Sequence, residues 1–365
     1  MRKCVLRVIP IVVVLVLALG SVASATTLTF WSWRGEEQLW RNVEKMLKDQ
    51  GEDITIEFKS IRAVDYDSVL MTSVQGGLGP DIMTMRSGGW LIDYAKAQAF
   101  MPLEDKIDLS VFPGAVLETV SYDGHTYGVP FAMQTFLIYY NKALFREYGL
   151  EQPKTWDELL KAGQVLKDNG IDPIGVAGRE GWAMSLVQTT IDASILGDEW
   201  ICGLLEGKNR FSDPEYVRSL ERTVELSKYF QKNFEAANYS DVQTAFGMEM
   251  LGMAFLGAWD LVPLQELNPE LEMGVMLVPP VDPADRPYAY AYSDGGYGIN
   301  AASKNQEAAI KVLSIAATKE FGEMFAEIQG EITPVIGAKM PEGKPVLAEL
   351  TQLASDYSLS TIHGA

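Results

Sequence analysis

Residues 138–160 read IYYNKALFREYGLEQPKTWDELL, and this stretch carries both element types of the fold. Its start continues an apolar and aromatic run, Phe136 to Tyr140, with the composition of a strand. Its end holds Thr155-Trp156-Asp157-Glu158, a capping-box pattern. There the Thr155 hydroxyl accepts the Glu158 backbone N–H and the Glu158 carboxylate reaches back. Leu159, Leu160, Ala162, Val165 and Leu166 give the following helix its apolar side, and Asp168-Asn169-Gly170 with Pro173 ends it. Strands alternating with helices of this length are the units of a mixed α/β fold.

The same order repeats upstream. Leu28 to Ser32 reads as a strand and Glu36 to Lys48 as a helix with Leu39, Val43, Met46 and Leu47 on one face. Ile54 to Phe58 is the next strand, Asp65 to Val74 the next helix, and Asp81 to Met85 a third strand after the break at Gly76 to Pro80. Tyr122-Asp123-Gly124-His125 carries the Asp-Gly hairpin signal, which places His125 on a solvated turn. Thr126 to Pro130 follows as a strand. Downstream, Ile174 to Val176, Met253 to Leu256 and Met273 to Val278 read as strands, and helices open at Ser212-Asp213-Pro214 and at Ser303.

Composition narrows the function. Arg2, Lys3 and Arg7, the apolar run Val8 to Leu19 and Ala23-Ser24-Ala25 form a secretory leader over residues 1–25. The apolar run is shorter than the roughly 20 residues of a membrane span. No cysteine follows it, so a lipid anchor is not expected. The remaining 340 of the 365 residues call for two domains. Losing three cations takes the net charge from −19 to −22, a surface that repels nucleic acid and anionic lipid. A soluble monomer is expected. Cys202 is then the only cysteine and reads as a small buried hydrophobe. His125 and His363 form no cluster with cysteine, so neither a metal site nor a cofactor is expected.

Five ordered stretches resemble one family: GGLGPDIM (76–83), YDGHTYGVPF (122–131), the stretch 138–160, AFGMEMLGMAFLGAWDL (245–261) and GGYGINAASKNQEAAIKVL (295–313). Together they are similar to the extracellular solute-binding proteins of bacterial ABC transporters, in the carbohydrate-binding group related to maltose-binding protein. The resemblance implies two α/β lobes joined by crossover hinge strands, with a ligand cleft between them. Lobe one would hold residues 26–132 and 293–329, and lobe two residues 138–291 and 330–365. Lobe two would lack several tens of residues that typical members carry as closing helices. A cleft at the carboxyl ends of the strands agrees with the general behaviour of open α/β sheets.

A sugar offers flat C–H faces ringed by hydroxyls, which aromatic plates and forked or planar hydrogen-bonders fit. By its place after Gly257-Ala258, Trp259 matches the family's stacking aromatic; the competing role is core packing. Trp182 in a loop, Trp90 after Ser87-Gly88-Gly89, and Trp33 at the end of the first strand are further plates, with Trp31 assigned to the core. Trp40 and Trp156 read as packing residues. Arg34 and Arg86 follow the first and third strands, where either fork could bridge adjacent hydroxyls or simply face solvent. Asp65 and Asp67 bind ligand or cap their helix. Gln134 and Asp294 lie at the two crossovers, and Asp81 is structural. The expected function is a periplasmic sugar-binding protein serving a membrane permease. The alternatives are a polyamine or phosphorylated-polyol binder of the same fold, or an exported glycan hydrolase, for which no Gly-x-Ser-x-Gly, P-loop or HExxH motif is present.

Overall fold

A computed structural model describes residues 26–358. The leader expected over residues 1–25, with Cys4, and His363 near the end lie outside the described residues.

The chain opens with β1 (Thr26–Ser32), α1 (Glu37–Asp49), β2 (Ile54–Ser60), α2 (Ala63–Gln75) and β3 (Ile82–Arg86). The strands are parallel with β1 in the middle, and the helices are the crossovers that parallel pairing requires. Along β1, Leu28, Phe30 and Ser32 are buried on one face, and Phe30 meets Trp40 of α1 at a ring separation of 4.5 Å. Trp31 was expected in the core but is half-buried. Its neighbour in register on the edge strand β2 is Lys59, whose ammonium stands 4.7 Å from the indole centroid.

Next come α3 (Gly89–Lys96), α4 (Gly114–Glu118) and a hairpin of β4 (Ser121–Tyr122) and β5 (His125–Thr126). Asp123 and Gly124 take φ of 52° and 80°, as the Asp-Gly turn demands. His125 is exposed there, 2.6 Å from the Glu104 carboxylate. The single strand expected over Thr126 to Pro130 is interrupted, and only β6 (Val129–Pro130) joins the sheet.

The second sheet begins with β7 (Met133–Asn141). After it come α5 (Lys142–Glu147), α6 (Trp156–Asp168), β8 (Asp172–Gly175), α7 (Gly181–Leu205), α8 (Pro214–Leu226), α9 (Tyr239–Gly247), β9 (Leu251–Gly257), α10 (Leu261–Leu267) and β10 (Met273–Met276). Its order is β10-β7-β9-β8, antiparallel except for β8 with β9. Thr155 caps α6 by accepting the Glu158 N–H at 3.3 Å, while the Glu158 carboxylate accepts the Lys154 N–H at 2.8 Å, one residue before the capping-box position. Trp156 is fully buried. Cys202, on α7, is half-buried rather than a core residue.

β11 (Tyr290–Ser293) then pairs with the first half of β7, and β12 (Gly295–Ile299) inserts between β3 and β6 of the first sheet. Asp294 alone separates the two strands. A Cβ at Gly295, where φ is 142°, would lie 1.9 Å from the Met85 carbonyl oxygen, so glycine is required for this entry. The following helices are α11 (Gln306–Ala316), α12 (Lys319–Gln329) and α13 (Pro345–Tyr357). The helix expected from Ser303 starts at Gln306, because the Ser303 hydroxyl is held by Asp81 at 2.6 Å. Asp81 also accepts the Thr29 N–H and hydroxyl, both at 2.9 Å, and so ties β1 to β3 as a structural residue. Val346, Leu347 and Leu350 of α13 pack into the second-sheet core.

The result is two α/β lobes. Three segments pass between them side by side: Asp294 N–H bonds the Ala132 carbonyl at 3.1 Å, and Met133 N–H bonds the Ile332 carbonyl at 2.8 Å. Among the described residues no helix is long and apolar enough to cross a membrane.

Candidate functional site

The carboxyl ends of β1, β3, β8 and β9, the starts of α2, α3 and α9, and the crossover segments supply the residues of interest. On lobe one, Trp33 is half-buried against Tyr66 (5.2 Å between centroids) and Phe131 (6.0 Å). The Arg86 guanidinium covers one face of its ring at 4.4 Å. Arg86 is itself held by Asp67 at 2.8 Å and by the Ala63 carbonyl at 3.2 Å. Trp33 and Arg86, singled out separately from the sequence, therefore form one unit, and Asp67 rather than Asp65 completes it. Asp65 is turned to a surface pair with Arg62 at 2.7 Å in the first turn of α2. Trp90 is half-exposed, at 51 %, in the first turn of α3 directly after Gly88, whose φ is 68°.

On lobe two, the loop expected around Trp182 is helical: it is the second residue of α7. Its indole N–H is anchored to Glu180 at 2.6 Å and its ring is 39 % exposed. Behind it stands Tyr239, the first residue of α9, with ring centroids 4.8 Å apart. Trp259 lies 6.2 Å from Tyr239, 6.4 Å from Trp182 and 6.0 Å from Phe136. Trp259 folds back over the strand end because residue 257 has no side chain. A Cβ there would sit 2.3 Å from the indole ring. Tyr239 went unnoticed in the sequence, where the helix start Asn238-Tyr239-Ser240-Asp241 was the available signal.

The crossovers hold a third group, and here the sequence expectation needs correcting. Arg34 is buried, and each of its nitrogens meets a carboxylate: Nε to Glu36 at 2.5 Å, Nη1 to Asp294 at 3.0 Å, and Nη2 to Glu331 at 2.5 Å. Its guanidinium also lies 4.9 Å from the Phe131 ring. Gln134 is completely buried and donates its amide N–H to Glu331. Both are withdrawn from solvent: the Arg34 side chain is only 8 % exposed, with three of its five N–H donors taken by carboxylates, and Gln134 is fully buried. Both tie the hinge segments together. Asp294 joins them and keeps 14 % of its side chain exposed. Burial opposes the Arg34 charge, yet Glu331, Glu36 and Asp294 outweigh it and raise its pKa. Burial pushes Glu331 up, against the pull of Arg34. Tyr292 on β11, in register with Gln134, brings a half-buried ring beside this group. Its signal was the alternation Tyr288, Tyr290, Tyr292 leading into Asp294.

Among the described residues, no group of three or more His, Cys, Asp or Glu is arranged to hold a metal ion. The acids nearest the crossovers surround Arg34.

Comparison with known proteins places this architecture. The multiple sugar-binding protein of Streptococcus mutans is 25 % identical over 331 residues, covering 87 % of this chain and 78 % of the relative. A chitin oligosaccharide binding protein superposes with a TM-score of 0.79 at 21 % identity, covering 92 % of this chain and 88 % of the other. The SBP RafE in complex with raffinose gives 0.76 at 22 % identity, with the same coverage of each chain. The sequence pattern of the bacterial extracellular solute-binding proteins matches residues 34–323. This chain belongs to the bacterial extracellular solute-binding protein family.

Proposed function

We propose that the protein is the substrate-binding component of an ABC importer that captures a sugar or oligosaccharide between its lobes and delivers it to a membrane permease. The observation that carries this is the aromatic wall of Trp182, Tyr239 and Trp259 on one lobe, together with the Trp33–Arg86 unit on the other. Flat rings suit the C–H faces of a pyranose, and the Arg86 fork suits adjacent hydroxyls. Trp90 and Asp294 border the same cleft in this reading, and Tyr292 forms its floor. The relatives named for sugars support the choice of ligand.

Within the described residues the lobes comprise 26–132 with 293–329, and 138–291 with the tail from 330 to 358. Closure turns on the three crossing segments, and ligand contacts to both lobes drive it. Micromolar capture needs about −8 kcal/mol, within reach of stacked aromatics and several hydrogen bonds of about 1 kcal/mol each. The protein works as a periplasmic monomer without a cofactor, does not bind nucleic acid and does not turn its ligand over. A polyamine would need free acids in the cleft, and the three candidates are engaged: Asp65 by Arg62, Asp67 by Arg86, Asp294 by Arg34.

A thermal-shift panel of raffinose, maltotriose, chitin oligosaccharides, spermidine and glycerol phosphate tests the reading. A sugar should raise the melting temperature by mass action. A rise with spermidine and none with any sugar would overturn it, and so would turnover of an oligosaccharide.

A further inference from the structure

The aromatic wall is assembled from three elements far apart in sequence: the starts of α7 and α9 and the turn after β9. One carboxylate meets two of them. Asp260 is fully buried, and Tyr239 donates its hydroxyl hydrogen to Asp260 Oδ2. The same oxygen accepts the Gly257 N–H at 2.8 Å, and Oδ1 accepts the Gln243 amide N–H at 2.9 Å. The Gly257 N–H also lies 2.9 Å from the Tyr239 hydroxyl oxygen. Asp260 thereby holds both the residue over which Trp259 folds and the ring that backs Trp182 and Trp259. Glu180 closes the circuit, accepting the Trp182 indole N–H and, at 3.2 Å, the Tyr239 backbone N–H.

We propose that Asp260 is a positioning residue for the binding wall: through Tyr239 and Gly257 it sets the relative placement of the Trp182, Tyr239 and Trp259 rings, and with it the affinity for a sugar face. The inference rests on the reading of this wall as the sugar site. Rings locked before binding lose less freedom on binding, which is how a supporting carboxylate raises affinity without touching ligand. Burial pushes the Asp260 carboxyl up to about 7, against the hydrogen bonds from Tyr239, Gly257 and Gln243. The other titratable groups that act on it are Tyr239 from α9, Tyr139 from β7 and Glu331 from the crossover after α12. A protonated Asp260 must donate from one oxygen and gives up part of its acceptor set. Affinity is therefore expected to fall as the pH drops from about 8 to 6.

The test compares wild type with Tyr239→Phe and Asp260→Asn. Titration calorimetry with maltotriose and with raffinose is run across that pH range, beside melting temperatures. Both variants should weaken Kd about 5- to 20-fold with modest change in melting temperature, and Asp260→Asn should flatten the pH profile. In ligand-free protein, acrylamide quenching attributable to Trp182, taken against the matching Trp182→Phe protein, should rise in both variants. Folded variants with wild-type Kd and an unchanged pH profile would overturn the proposal. If neither sugar binds the wild type, it is the sugar reading that fails for these probes; unchanged Trp182 quenching would then overturn the positioning role on its own. If Asp260→Asn does not fold, Tyr239→Phe decides the matter.

Discussion

Replacing Arg34 by methionine keeps the aliphatic stem and removes the one cation among Glu36, Asp294 and Glu331. In the folded protein these acids are 0 %, 14 % and 4 % exposed at the side chain, so water cannot replace the lost guanidinium. Breaking a buried ion pair by removing one partner costs about 3–5 kcal/mol. With an unfolding entropy of roughly 2.1 cal/mol/K per residue over about 330 residues, that is a loss of about 4–7 °C in melting temperature. The pH dependence gives a second reading of the same physics. Glu331 is already raised by burial, and without Arg34 it rises further. The folded variant then binds more protons than its unfolded chain, so its stability increases as the pH falls. Calorimetric melting at about pH 8 and 5.5 should show the deficit shrinking at the lower pH. Adding Glu331→Gln should recover part of the loss in a double-mutant cycle. An Arg34→Met protein that melts within about 1 °C of wild type, or whose deficit is the same at both pH values, would refute the argument that this guanidinium neutralises the hinge.

Gly257→Ala drives a methyl into the Trp259 indole and should weaken sugar binding more than about tenfold, at an overpacking cost of about 1–3 kcal/mol; calorimetric titration beside a melting curve checks both. In the wild type, Asp260 near 7 and the raised Glu331 both make stability fall as the pH rises from about 4.5 through 7, because protonation favours the folded state below the raised values; urea midpoints across that range should decline, and less steeply in Glu331→Gln. Trp31→Ala should cost only about 1–2 kcal/mol, since its ring is only partly buried beside Lys59, and should leave sugar affinity unchanged. Trp33→Ala, which uncovers Arg86, should instead weaken binding, as fluorescence titration would show.

The alternation of strands and helices was legible in the chain because it rests on local signals: the apolar periods of α1 and α6, the Thr155 cap, and the positive-φ pair Asp123-Gly124. Trp40 and Trp156 were assigned correctly for the same reason, since each lies on the apolar side of a helix that has one core to face. Trp31 was misread. Strand alternation gives its face but not its neighbour, and the neighbour is a lysine on an edge strand. Trp182 was taken for a loop residue because no cap signal marks the start of α7, and Glu180 makes no side-chain cap there.

Sequence by itself thus determined the family, the two-lobed α/β fold and the residue types that meet at the strand ends, since short-range patterning and ordered motifs suffice for these. Only the tertiary structure decided which polar residues remain available to a ligand. Arg34 at a strand end and Gln134 at a crossover both looked available to a ligand until the chain brought Glu331, 297 positions from Arg34, onto each of them. Tyr239 and Asp260 gained their place in the wall in the same way, through contacts between helix starts and strand ends. A charge or hydroxyl is free or engaged according to what long-range folding sets within about 3 Å of it, and no local pattern encodes that distance.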